Sequence, residues 1–249
     1  GQGHAPGGMR MASFEDLCGW VGALEGVVVA FSGGVDSSVL AAAARLAAGD
    51  RAIAAIVKTE LLSAADLANA RKVASEIGIE HVIVEAEVLD LVEISENLPD
   101  RCRICKMMMA KRLLELARIR GAEIVVDGTN ASDRLEDRPG MRSLLEAGIR
   151  MPLREVGATK EMVREMATAL GLSNADRPSR SCLAPRIEGP LSPERLRRVE
   201  AAEELLPLGW RVLDRGDRLE VEVPAGCRLT EEAVAGLKSL GYRVILDEG

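Results

Sequence analysis

Aromatic residues are nearly missing from this chain, which has two Phe, two Trp and one Tyr in 249 residues. A protein that grips single-stranded nucleic acid stacks bases on rings, and few rings are available here. The core must be aliphatic, and 47% hydrophobic residues supply enough material for one. Basic charge is also in deficit, with 32 Lys and Arg against 39 Asp and Glu. The formal net charge of -7 argues against broad attraction to a phosphate backbone, so a nucleic-acid partner is not expected. No apolar run approaches the roughly 18 residues of a membrane span, and no signal-peptide pattern precedes Met9 or Met11. A cytoplasmic protein without a membrane partner is expected. Five cysteines, an odd number without an export signal, do not read as a disulfide framework.

What the chain does have is a stretch of unusual chemistry, "FSGGVDSS" at residues 31–38, between the apolar run "GVVVA" and the helix-forming "VLAAAARLAA". Val27 to Phe31 reads as a buried parallel strand and Ser37 to Ala48 as a helix closed by Gly49. The connecting loop has two glycines that let a ligand approach the backbone, and hydroxyls on Ser32, Ser37 and Ser38 beside the open N–H groups of a helix start. Such a loop suits phosphate. It lacks the Lys of a Walker A loop, and Asp36 would repel a phosphate unless Mg²⁺ lay between them. Ser-Gly-Gly-x-Asp-Ser resembles the PP-loop, the pyrophosphate-binding loop of enzymes that cleave ATP between its α and β phosphates.

Strand and helix patterns then alternate: strand 52–57, helix 64–77, strand 81–86, a helix opened by Asn97 or Asp100 and running to Arg120, strand 124–126, a short strand within "IRMPLREVG", and a helix within "TKEMVREMATALGL". An α/β fold with a parallel sheet covered on both faces is expected, with its ligand at the carboxyl ends of the strands. The strand at 124–126 would deliver Asp127, Gly128, Thr129 and Asn130 to the same edge as the phosphate loop. From Ser192 the order changes to helix, strand, strand, helix, strand, and "RLEVEV" alternates as an antiparallel strand with one wet face. The expected division is a tail or tag remnant at 1–12, a first domain at 13–186 and a small α+β domain at 187–249.

Cys102 and Cys105 form a C-x-x-C at a helix start beside Arg101, Arg103 and Lys106, and Cys182 lies among Arg177, Arg180 and Arg186. Cationic neighbours and a helix N-terminus favour thiolates. Structural zinc, a redox pair, plain packing and an iron-sulfur cluster held by three thiolates with one iron open all compete for these sulfurs. Cys18 and Cys227 read as packing residues, and His81 suits a surface role better than catalysis.

The motifs "VAFSGGVDSS", "DRCRICK", "VVDGTNASDRLEDRPG", "MPLREVG", "SCLAPRI" and "ERLRRVEAAEELL" together resemble the LarE family over about residues 27–223. These are ATP-dependent sulfur transferases that help build the nickel-pincer nucleotide cofactor of lactate racemase. The resemblance implies an adenine nucleotide alpha-hydrolase-like PP-loop domain, and adenylation of a carboxylate on a nicotinate-derived mononucleotide. It further implies release of pyrophosphate and exchange of AMP for sulfur. One branch takes the sulfur from its own cysteine, at the position matching Cys182. The branch with two further cysteines carries sulfide on a 4Fe-4S cluster, and with Cys102, Cys105 and Cys182 this chain resembles that branch. Ser32, Gly33, Gly34, Asp36, Ser37 and Ser38 would hold ATP, Asp36 also Mg²⁺, with Gly128, Thr129, Asn130, Asp133 and Arg138 as the second nucleotide motif. Arg177, Arg180 and Arg186 would hold the substrate phosphate, or else pair with acids. A small-molecule nucleotide, sulfide or another sulfur donor, and a homo-oligomer are the expected partners. "LAPRI" in place of the family's "LASRI" puts substrate identity in doubt more than reaction type. A tRNA thiolase, or an amidotransferase or synthetase with a zinc staple, stand as alternatives.

Overall fold

The computed structural model describes residues 12–134 and 139–247. Helix α1 (Phe14–Gly22) starts at a reciprocal cap, in which the Ser13 hydroxyl accepts from the Asp16 amide and the Asp16 carboxylate accepts from the Ser13 amide. Then follow β1 (Val27–Ala30), α2 (Val35–Ala48), β2 (Ala52–Lys58), α3 (Ala64–Ile77), β3 (Glu80–Glu85), the single turn α4 (Val92–Ser95), α5 (Arg101–Arg120) and β4 (Ile124–Asp127). The first half closes with α6 (Pro139–Glu146), the short α7 (Pro152–Glu155) and α8 (Lys160–Ala169).

These four strands form one parallel sheet in the order β3-β2-β1-β4. Val27 and Val29 pack with α1, α2 and α8 on one face, and Val28 packs against α5 and α6 on the other. That two-sided burial explains why β1 is an unbroken apolar run. Because all four strands point the same way, the loops after β1, β2 and β4 emerge along one edge. The α/β expectation is met.

Two local expectations are corrected. Helix α2 begins at Val35, not Ser37, with Gly34 as its extended N-cap, so Asp36 and Ser37 lie in the first helical turn. "IRMPLREVG" is no strand: only Arg150 bridges to Val126, and the chain turns at once into α7. Pro152 is the reason, since it has no N–H for a ladder but fits the first turn of a helix.

A 3-10 turn (Ala184–Arg186) leads to α9 (Pro193–Glu204), β5 (Arg211–Asp214), β6 (Arg218–Glu222), α10 (Glu231–Ser239) and β7 (Arg243–Asp247). Their sheet is mixed, with β6 antiparallel to β5 and parallel to β7. Its core of Val199, Leu219, Val221, Leu237 and Tyr242 also takes in Leu61, Val88 and Ile94 from the first half, together with Leu183 and Ile187. The boundary expected at 186–187 therefore falls inside a shared core. No helix among the described residues is long and apolar enough to cross a membrane.

Candidate active site

The loop after β1 is built around a left-handed Gly33, at φ +72°, where a Cβ would come within 2.6 Å of the Ala70 Cα on α3. No other residue type fits there. Ser32 and Ser37 face each other, their hydroxyls 3.1 Å apart, and the Ser37 hydroxyl also receives the Ser32 amide. Ser38 is fully buried and donates to the Gly34 carbonyl at 2.8 Å. That hydroxyl is used inside the fold, so Ser38 supports the loop from beneath rather than facing a ligand.

The β4 loop meets it as expected. A Cβ on Gly128 would lie 2.8 Å from the Ser37 nitrogen, so this glycine is the condition for the two loops to touch. Asn130 is buried and donates to the Asp36 carboxylate at 2.7 Å. Thr129 bonds back to Asp127, and Asp133 accepts the Asn130 amide, which shapes the turn. Arg138 lies outside the described residues.

Cys102 and Cys105 lie in the first turns of α5, which begins after Asp100. The amide of Leu183, next to Cys182, donates to the Leu61 carbonyl at 2.9 Å, which pins the Cys182 segment just beyond the end of β2. Cys105 feels the charge of both Cys182 and Cys102, and Cys182 that of Cys102. The three sulfurs thus belong to one region at the sheet's carboxyl edge. The expected thiolate character is corrected: burial pushes the Cys105 thiol up to about 11, with Cys182 and Cys102 adding to the effect. Cys182 keeps exposed surface, but the protein atoms crowded round its sulfur still raise it, and the Ala184 amide, Arg186 and Arg101 offset only part of that. Among the described residues, no three His, Cys, Asp or Glu side chains stand close enough together to hold one metal ion.

The three arginines expected at a substrate phosphate are ion-paired. Arg177 meets Asp66 at 3.0 Å, and Arg180 and Arg186 share Glu203, whose side chain is 8% exposed. Arg186 also holds the Cys182 carbonyl at 2.5 Å. They tie the segment 177–186 to α3 and α9. Sequence reasoning missed Asp66, Glu203, Asn69 and Asn174. Asn69 carried a signal, since an amide inside an alanine-rich helix is a poor helix former with a side chain free for other work.

The profile of the asparagine synthase family matches residues 23–128. An ammonia-dependent NAD synthetase from Campylobacter jejuni, 20% identical, superposes with a TM-score of 0.50 over 64% of this chain and 72% of that one, which establishes the fold alone. An uncharacterized protein of Synechocystis sp. is 33% identical over 87% of this chain and 83% of its own length. Pyridinium-3,5-bisthiocarboxylic acid mononucleotide synthase of Lactiplantibacillus plantarum is 33% identical over 243 residues, 91% of this chain and 87% of that enzyme. Agreement over that span, added to a PP-loop fold with its nucleotide loops in contact, makes this chain an ATP-using enzyme that belongs to the LarE family.

Proposed function

We propose that the protein transfers sulfur to a carboxylate of a nicotinate-derived mononucleotide after activating it with ATP. The observation that carries this reading is the sharing of one sheet edge by the β1 loop and the segment bearing Cys182, which is fastened to Leu61 past the end of β2. A carboxylate is a poor electrophile at neutral pH. Its oxygen attacks the α-phosphorus of ATP, the bond to pyrophosphate breaks, and an acyl adenylate forms. Sulfide then attacks the carbonyl carbon and AMP leaves with the bonding electrons. The amides of Gly34 and Val35 and the hydroxyls of Ser32 and Ser37 would receive the charge developing on pyrophosphate. Asp36, steadied by Asn130, would hold Mg²⁺, which neutralises the departing phosphates when bound.

Cys102, Cys105 and Cys182 would hold a 4Fe-4S cluster. The donor set suits it chemically: Cys105 and Cys182, whose pKa values are raised, are poor thiolates alone, and a cationic centre reverses that. When bound, the cluster supplies an open iron to carry sulfide. The substrate phosphate would be taken by Arg180 and Arg186 in exchange with Glu203, an exchange of one anion for another on the same guanidinium groups.

Mass spectrometry after anaerobic incubation with ATP, Mg²⁺, sulfide and either the carboxylated mononucleotide or bulk tRNA tests the proposal. Sulfur gained by the mononucleotide is the expected result; sulfur gained by tRNA alone would overturn it. Asp36→Ala should slow pyrophosphate release by roughly 10²-fold or more, the scale of removing one group that stabilises transition-state charge. ADP formed by that variant at the wild-type rate would rule out PP-loop chemistry.

A further inference from the structure

The two glycines that let the β1 loop approach a ligand also make it easy to misfold locally. A peptide plane between two residues without Cβ atoms flips cheaply, and a flip of the Gly33–Gly34 plane would turn a carbonyl oxygen toward the pyrophosphate in place of an N–H. Something outside the loop must hold it.

We propose that Asn174, assisted by Asn69, is a positioning residue for the pyrophosphate loop. The inference rests on the reading of residues 32–38 as that loop. Asn174 lies beyond α8, 141 positions from Gly33 in sequence, and is 3% exposed. Its Nδ2 donates to the Gly33 carbonyl at 2.8 Å and to the Ser38 hydroxyl at 2.9 Å. Asn69, on α3, donates to the same Gly33 carbonyl at 2.9 Å, so both lone pairs of that oxygen are engaged. There is no cis peptide among the described residues, and in a trans peptide C=O and N–H point in opposite directions. Fixing the Gly33 carbonyl toward α3 and Asn174 therefore aims the Gly34 N–H the other way, toward Ser32 at 3.3 Å. The second donation extends the grip by one residue. The Ser38 hydroxyl that accepts from Asn174 donates to the Gly34 carbonyl at 2.8 Å, so the next plane is fixed as well.

The other end of the Asn174 side chain points to the same role. Its Oδ1 is buried without a hydrogen-bond partner, which carries a desolvation cost. Turning the amide over would satisfy nothing, since it would place oxygen against the Gly33 carbonyl oxygen. The residue is thus kept for its donor alone, and both of its donations end on the loop.

The test is calorimetric titration of the full-length protein with inorganic pyrophosphate in the presence of MgCl₂, which needs no sulfur chemistry. Asn174→Ala and Asn69→Ala should each weaken pyrophosphate binding about tenfold. Asn174→Asp should weaken it further, because a carboxylate of the same shape faces the Gly33 carbonyl with no proton to give. Val163→Ala, a fully buried core change on α8, serves as a control for lost stability and should leave the affinity unchanged. If Asn174→Ala does not fold, the half-buried Asn69 carries the test alone. Wild-type affinity in both alanine variants would overturn the inference, as would equal weakening by Val163→Ala at a matched Tm. A wild-type protein that does not bind pyrophosphate would overturn the loop reading itself and the inference with it.

Discussion

Replacing Cys182 by alanine is expected to strip the reconstituted protein of cluster iron and to cut sulfur transfer by more than ~10²-fold, while one turnover of pyrophosphate release persists. The separation follows from where the residue is fastened. The backbone around it is held by groups that alanine leaves in place: Arg186 on the Cys182 carbonyl and the Leu183 amide on Leu61. The nucleotide loops are organised by Asp36, Gly128 and Asn130, none of which uses this side chain. Iron content and a broad absorbance shoulder near ~400 nm after anaerobic reconstitution report the cluster. Cys105→Ala should remove both signals too. Cys227→Ala, on an exposed turn after β6, should remove neither. Full iron retention in the triple variant lacking Cys102, Cys105 and Cys182 would sink the cluster assignment. In metal-free protein, the rate at which iodoacetamide alkylates Cys105 should still be climbing as pH approaches about 11, because its raised pKa keeps the thiol protonated well above neutrality.

The parts of this site that could be read from the sequence are the local ones. A strand, a glycine-rich turn and a helix start occupy adjacent residues, so "FSGGVDSS" announces its geometry within eight positions. The partners that hold the turn are not local. Asn174 reaches Gly33 across 141 positions and Asn130 reaches Asp36 across 94, distances at which no spacing rule operates. Charge misled for the same reason. Arg177, Arg180 and Arg186 surround Cys182 in the sequence, but their heads turn to Asp66 and Glu203, brought close only by the packing of α3 and α9. Thiol acidity depends on how far the surrounding protein atoms desolvate the sulfur, which the flanking arginines do not reveal, so local charge gave the wrong sign for Cys105 and Cys182. "RLEVEV" was legible as a strand with alternating burial, whereas its parallel partner β7 is set by the tertiary return of the chain through α10.

The largest effect on stability is expected from Asp214→Asn, at about 3–5 kcal/mol, the range for removing one partner from a buried charge network. Asp214 ends β5 and has no exposed surface. Its carboxylate accepts from Arg195 at 2.7 Å, from the Tyr242 hydroxyl at 2.6 Å and from the Gly216 amide at 2.6 Å, with Arg198 at 3.4 Å. Arg198 in turn lies 4.0 Å over the Tyr242 ring. Asparagine keeps the shape but removes the charge that neutralises two guanidinium groups, and it sets an NH₂ among donors. The network joins α9, β5 and the entry to β7, so its loss loosens the whole second sheet. At roughly 2–4 °C per kcal/mol for a chain of this size, the Tm should fall by about 6–20 °C. Burial alone would raise the Asp214 pKa, but the bonds from Arg195, Tyr242 and Gly216 outweigh it and hold the carboxyl below its usual range. A depressed folded pKa means that the charge contributes fully above the unfolded value of about 3.9 and is lost as pH falls through the folded value. The gap between wild type and Asp214→Asn, measured by urea unfolding, should therefore be flat from neutral pH down to about pH 4 and close only below it. A gap under about 0.5 kcal/mol at pH 7, the scale of an ordinary surface change, would show that the network does not hold this half together.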